Sequence, residues 1–320
     1  MTDIRENWIF AEKSINKINS ATFQLITKMK SISEIPVTVV LLESQADSFE
    51  NEIKQYGPDK ILTVKDDELD KADDVSVASA LSGLIDKFGT PISFIFAATT
   101  FGRSVAPRLQ AKLLTGLTAD CLDLSFEDDL LVQTKPSYGD NIMCEIVIPD
   151  FKPQMATVRP NIFKAEKVFD DTTKIVEIND LNWDKDANIQ ITTHVLPAKT
   201  DENLSTADRI VALGRGGKQD LKNANELANK INATVGVTRP LTDMDEFDQS
   251  QQIGQSGETV APNLLINLGV SGSVQFTAGI ENANTIVSVN TDKHAPIFKQ
   301  SDYCFNGSSE DFLKALNKVL

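Results

Sequence analysis

Short runs of aliphatic and β-branched residues recur along the chain, with helix-length segments between them. VTVVLL (residues 37–42), KILTV (60–64) and ISFIFA (92–97) lie in the first half, and IVAL (210–213), LLINL (264–268) and TIVSV (285–289) in the second. Runs that are apolar at successive positions suit strands covered on both faces, as in parallel sheets flanked by helices. The pattern predicts α/β architecture twice over. In KQDLKNANELANKINA (218–233), Leu221, Ala224, Leu227, Ala228 and Ile231 form one apolar stripe at three- and four-residue spacing. The closing SSEDFLKALNKVL (308–320) opens with serines and acids and repeats Phe312, Leu313, Leu316 and Leu320 on one face, so it predicts a second packing helix.

Between the halves, TTHVLPAKTDENLST (192–206) turns polar and reads as a linker. The expected domains are therefore 1–200 and 201–320, each a mostly parallel sheet flanked by helices, the second doubly wound. DLLVQTKPSYGDNIMCEIVIPDFKPQMATVRP (129–160) reads as strands around a glycine-containing turn, a β excursion added to the first sheet.

Composition then narrows the function classes. With 46 acidic against 31 basic residues the net charge is −15, which repels a nucleic-acid backbone and serves either solubility or, more sharply, a docking face for a basic protein partner. The longest apolar runs are about six residues, where a membrane span needs about twenty, so no membrane insertion is expected. MTDIRENWIFAEK has neither a signal-peptide core nor transit-peptide character, and the cytoplasm is the expected location. Cys121, Cys144 and Cys304 are odd in number and far apart, which argues against disulfides and cysteine metal sites; all three are expected to be buried small hydrophobes. His194 and His294 lack metal-pair spacing, so no metal and no histidine-based relay is expected. Neither a P-loop nor a GxGxxG turn follows any strand.

What remains is a set of strand-end corners in the second half: LGRGGK (213–218), GVTRPL (236–241), IGQSGETVAP (253–262), LGVSGSVQF (268–276) and VNTDKHAP (289–296). In an open α/β sheet, ligands sit outside the carboxyl ends of strands, where exposed amides favour anions. Arg215 and Arg239 add fixed charge, Ser256, Ser271 and Ser273 hydroxyls, and Gln255, Gln275 and Asn290 amides. None of these groups abstracts a proton near neutral pH. The set suits a redox cofactor that carries its own chemistry, or a pyrophosphate held as a structural ligand.

The sequence resembles the alpha subunit of electron transfer flavoprotein. The resemblance is carried by GRG (214–216), TRP (238–240), QIGQSG (252–257), VAPNL (260–264), GVSGSVQF (269–276), VN (289–290), APIF (295–298) and SDY (301–303). It extends through AATTFGRSVAPRLQAKLLTGLTADC (97–121) and FKPQMATVRP (151–160) to nearly the whole chain. It implies a heterodimer with a beta subunit, contacted through the first domain, and FAD in the second. It implies a carrier rather than an enzyme, moving electrons from acyl-CoA dehydrogenase-type flavoproteins, as in fatty acid beta-oxidation, to a downstream acceptor. TGLTADC and MATVRP are similar to the branch that includes NADH-dependent, electron-bifurcating members, the alternative reading.

Carried over residue by residue, the resemblance gives Arg215 and the Ser271, Gly272, Ser273, Val274, Gln275 turn to the phosphates and ribityl chain. Thr238 and Asn290 become cofactor contacts, and Arg239 a neighbour of the isoalloxazine. Ile253, Gly254, Gln255 and Ser256 line the ring, with the Ser256 hydroxyl near its N5–O4 edge. A guanidinium about 4 Å from the reduced ring is worth up to ~4 kcal/mol at an effective dielectric near 20. Phe276 stands where many relatives have a histidine that donates to the ring's C2 carbonyl. Phenylalanine has no donor, so the one-electron-reduced ring is expected to lose roughly 1.5–3 kcal/mol of stabilisation.

Overall fold

The computed structural model describes residues 2–14, 17–137, 142–168, 172–185, 204–244 and 246–320. The chain divides into two compact units, Met1–Val195 and Leu196–Leu320. The boundary expected near residue 200, and His194 beside it, lie outside the described residues.

In the first unit, β1 (Asn7–Ala11), β2 (Val37–Glu43), β3 (Lys60–Lys65), β4 (Ser93–Ala97), β5 (Leu117–Cys121), β6 (Gln154–Val158) and β7 (Lys174–Ile178) form one seven-stranded sheet in the order β7-β3-β2-β1-β4-β6-β5. Every pairing in it is parallel. Alternate side chains of β1 feed two cores: Trp8 and Phe10 join Phe94 and Phe96 on one face, while Ile9 and Ala11 join Ile95 on the other. Helix α1 (Ser20–Ile32) buries Phe23, Ile26 and Met29 on the second face. Helices α2 (Asp74–Phe88) and α3 (Gly102–Leu113) bury Leu81, Leu84, Val105 and Leu109 on the first. Between β5 and β6 the chain leaves the sheet for the antiparallel strands Asp123–Glu127, Leu130–Ser137 and Ile142–Ile146, the β excursion read from the sequence. Its glycine-containing turn lies outside the described residues.

The second unit contains β8 (Arg209–Leu213), β9 (Thr234–Thr238), β10 (Gln252–Ile253), β11 (Leu264–Leu268), β12 (Ile286–Asn290) and β13 (Tyr303–Asn306), ordered β10-β9-β8-β11-β12-β13. All pairings are parallel. In order of appearance the strands lie 3-2-1-4-5-6, the doubly wound arrangement whose switch point falls between β8 and β11. Helices α4 (Leu221–Ile231) and α5 (Ser309–Val319) are the two amphipathic segments read from the sequence, and their Ala224, Leu227 and Leu313 cover one face of this sheet. Ser308 caps α5, accepting from Asp311 N–H at 3.1 Å. The other face is closed by irregular chain: Ile253, Val260, Val270, Phe276, Ile280 and Ile297 pack on Ile210, Ala212, Leu265 and Ile286.

The cysteines correct one expectation. Cys121 is buried, and burial pushes its thiol up to about 12, but Cys144 is half-buried and Cys304 exposed. Both exceptions sit on strands at the edge of their sheets, Ile142–Ile146 and β13, which pair with no further strand on the outer side among the described residues. His294 is a surface residue. Among the described residues no helix is long and apolar enough to cross a membrane.

At the switch point two corners interlock. Gly214 N–H donates to Leu268 O at 2.9 Å, and Gly216 N–H to Gly269 O at 3.3 Å. Gly269 has φ +63°, and a Cβ there would lie 2.3 Å from the Gly217 nitrogen. A side chain would therefore meet both backbone strain and a backbone clash. Gly269→Ala is expected to destabilise the second unit by roughly 2–4 kcal/mol; urea unfolding followed by circular dichroism checks this, and an unchanged midpoint contradicts it.

Candidate functional site

Six parallel strands end on one edge, so the corners that follow them share that edge whatever their separation in sequence. Arg215 opens the helical turn Arg215–Asp220 after β8. Thr238 is the last residue of β9, and Arg239 opens the turn Arg239–Thr242. Ile253 ends β10, with Gly254, Gln255 and Ser256 beyond it. Ser271, Gly272 and Ser273 follow β11 and lead into the single turn Val274–Thr277, which holds Gln275 and Phe276. Asn290 is the last residue of β12.

Backbone contacts join several of these corners. Gln255 N–H donates to Gln275 O at 2.7 Å, and a Cβ on Gly254 would lie 2.6 Å from that same oxygen. The loop after β10 thus rests against the turn after β11. Gly272 backs onto Ile297, whose N–H donates to Ser271 O at 3.1 Å. Asn290 Nδ2 donates to Val270 O at 2.8 Å while its Oδ1 accepts from Asp292 N–H at 2.9 Å, so this amide braces two corners with both of its polar atoms. Thr238 pairs with Ile253 in the ladder. The side chains of Arg215 and Arg239 are not drawn into these contacts.

The electrostatics favour an anionic ligand. Arg215 and Arg239 are exposed, and among the described residues no carboxylate pairs with either; the acid nearest in sequence that makes an ion pair, Glu246, is matched to Lys218 at 3.2 Å. Two unpaired guanidiniums on one edge of a chain of net charge −15 form a local positive feature. Ser256, Ser271 and Ser273 are also exposed, and no group of three or more histidine, cysteine or carboxylate side chains able to hold a metal is found among the described residues. Cations for a pyrophosphate, with hydroxyls and amides for ribityl and ring edges, match the demands of a bound flavin dinucleotide. Phe276 is 3% exposed and packs in the core with Ile253, Val270 and Ile297, so its ring supports this face from beneath.

Residues 7–185 match the family profile described as the electron transfer flavoprotein domain, and residues 203–281 that of the electron transfer flavoprotein FAD-binding domain. The chain belongs to the electron transfer flavoprotein alpha-subunit family. It is 35% identical over 312 residues to electron transfer flavoprotein subunit alpha of Thermoanaerobacterium thermosaccharolyticum, covering 95% of this chain and 94% of the relative. It is 38% identical over 296 residues to lactate dehydrogenase (NAD(+),ferredoxin) subunit LctC of Acetobacterium woodii, covering 91% and 71%. A third relative, the acryloyl-CoA reductase electron transfer subunit beta of Anaerotignum propionicum, is 30% identical over 342 residues, covering 96% and 93%. As an electron transfer flavoprotein alpha subunit the chain takes FAD as its cofactor, has an electron-transfer role, and pairs with a beta subunit.

Two features of the family member escaped the sequence reading. Gln252, one residue before the expected ring-lining stretch, is 7% exposed and hydrogen-bonded to Ser256. Arg159, directly after β6 in the first unit, is 6% exposed, and its Nε has no hydrogen-bond partner. Among the described residues no carboxylate pairs with its guanidinium. It emerges beside Thr99, since Ala98 N–H donates to Val158 O at 2.7 Å, and Thr99 in turn donates to Glu12, whose carboxyl burial pushes above its usual range. The string TVRP contained the residue; that it is buried with its Nε unpartnered is visible only in the fold.

Arg239 is the unpaired charge whose removal is the most informative. In FAD-loaded heterodimer, Arg239→Ala is expected to lower the flavin midpoint potential by on the order of 100 mV. Spectroelectrochemical titration reads this directly, and a potential equal to the wild type's would exclude Arg239 from the neighbourhood of the ring.

Proposed function

We propose that residues 201–320 hold FAD along the carboxyl edge of the second sheet, while residues 1–200 meet the beta subunit. The complex carries electrons in the cytoplasm from acyl-CoA dehydrogenase-type flavoproteins, as in fatty acid beta-oxidation, to a downstream acceptor. The observation that carries this reading is the donor set: exposed Arg215 and Arg239, with no carboxylate of the described residues paired to either, and exposed Ser256, Ser271 and Ser273 on the same sheet edge. FAD supplies the redox chemistry when bound. The chain's own part is to bind, orient and tune: Arg215 and the Ser271–Gln275 stretch for the phosphates and ribityl chain, Thr238 and Asn290 for further contacts, Arg239 for charge, and Ile253 to Ser256 for the ring.

A second reading, an NADH-dependent electron-bifurcating complex, is favoured by Arg159. A guanidinium that is 6% exposed and lacks a partner at Nε is costly unless an anionic or electron-rich group faces it in the assembled complex. A flavin contributed with the beta subunit is such a group. The name of the Acetobacterium woodii relative, with NAD(+) and ferredoxin, is in keeping with this.

The two readings separate in one experiment on the heterodimer produced with its beta partner. Under the carrier reading, an acyl-CoA dehydrogenase with its substrate bleaches the flavin absorbance, and NADH leaves it oxidised. Rapid bleaching of two flavins by NADH, with no response to the dehydrogenase, reverses the order of the readings. A complex that stays colourless after FAD reconstitution contradicts both.

A further inference from the structure

We propose that Gln252, held by Thr242, is a positioning residue that leaves the Ser256 hydroxyl as a hydrogen-bond donor facing the flavin; this rests on the reading above that Ser256 lines the ring. Gln252 starts β10 and is 7% exposed. Its carboxamide is engaged at both ends: Nε2 donates to Ser256 Oγ at 2.8 Å, and Oε1 accepts from Thr242 Oγ1 at 3.1 Å. Its main chain closes the same loop, because Gln252 O accepts from Glu258 N–H at 2.7 Å. A Cβ on Gly257 would lie only 2.3 Å from that oxygen, so the loop is wrapped tightly around Gln252.

The consequence follows from counting protons. A serine hydroxyl has one hydrogen to give and two lone pairs with which to accept. Ser256 Oγ accepts from the Gln252 amide, and the side chain is exposed, so its single proton is left for a partner outside the loop. With the amide reversed, Oε1 would take that proton instead and Ser256 would face the ligand as an acceptor only. Which way round the amide sits depends on where Thr242 gives its single proton, since its hydroxyl reaches two acceptors, Gln252 Oε1 at 3.1 Å and Arg239 O at 2.9 Å. Donation to Gln252 fixes the relay Thr242 to Gln252 to Ser256 to ligand, and each link polarises the next.

The test uses the FAD-loaded heterodimer and four variants: Ser256→Ala, Gln252→Leu, Thr242→Val and Thr242→Ser. The readouts are the flavin midpoint potential and the Kd for FAD. Ser256→Ala, Gln252→Leu and Thr242→Val are each expected to shift the potential in the negative direction and raise Kd about tenfold, the worth of one hydrogen bond. Thr242→Ser should restore both values, and Gln252→Leu should add nothing in a Ser256→Ala background. Rescue by serine separates positioning from packing, because Thr242→Val keeps the side-chain volume. If Ser256→Ala shifts the potential while Gln252→Leu and Thr242→Val behave as wild type, the relay is overturned and the ring-lining reading survives. If Ser256→Ala changes neither quantity in a protein that still binds FAD, the reading of the loop itself falls, and the relay with it.

Discussion

Everything in the second unit depends on the interlocking of two glycine corners at the switch point between β8 and β11. Gly214 and Gly216 donate to the chain around Gly269, and a Cβ on Gly214 would lie 2.3 Å from Gly269 O. Such contact is possible only between bare backbones. It lets the first and fourth strands of the unit lie side by side in parallel, and parallel pairing then propagates outward in both directions. The result is a single edge bearing every corner that the sequence brings to the site. Backbone approach is thus the constraint, and the collected side chains are its consequence.

The two faces of this sheet are unequal, and the inequality is functional. Regular helices α4 and α5 cover one face, while the other is closed by irregular chain running through Ile253, Val260, Phe276 and Ile297. Regular helices satisfy their own backbone groups, whereas loops and single turns leave amides and carbonyls to be met by neighbours or ligands. Here Gln255 N–H meets Gln275 O, and Asn290 braces the chain after β11 and after β12. Buried Phe276 and Ile297 give that chain a rigid base. Arg215 and Arg239 are exposed, with no carboxylate of the described residues paired to either, in a chain whose net charge is −15.

Much of this was legible in the sequence, for physical reasons. Runs such as VTVVLL and LLINL are apolar at every position because both faces of their strands are covered, and that signature needs no tertiary information. The stripe of Leu221, Ala224, Leu227 and Ala228 identified α4 in the same way. Strand-end glycines and serines marked the corners, since turn residues declare themselves locally. Edge exposure was not legible: Cys304 and Cys144 read as buried because strand order, which decides their neighbours, is a long-range property. Nor was the part played by Gln252, whose importance lies in a contact made four residues away through its side chain. Arg159 looked like an ordinary arginine in TVRP, and only the packing around β6 shows its Nε to lack a partner.

An electron-carrying subunit needs a cofactor held firmly and tuned by fixed charge and dipoles, and the proposed place for it is the carboxyl edge of the second sheet. The most direct measurement of this claim is hydrogen–deuterium exchange on the heterodimer with and without FAD. The account predicts that FAD slows amide exchange at residues 214–220, 253–257 and 269–276 together, while the amino-terminal ends of the same strands are unchanged. FAD-dependent protection confined to residues 7–185, or absent from all three corners, would contradict it.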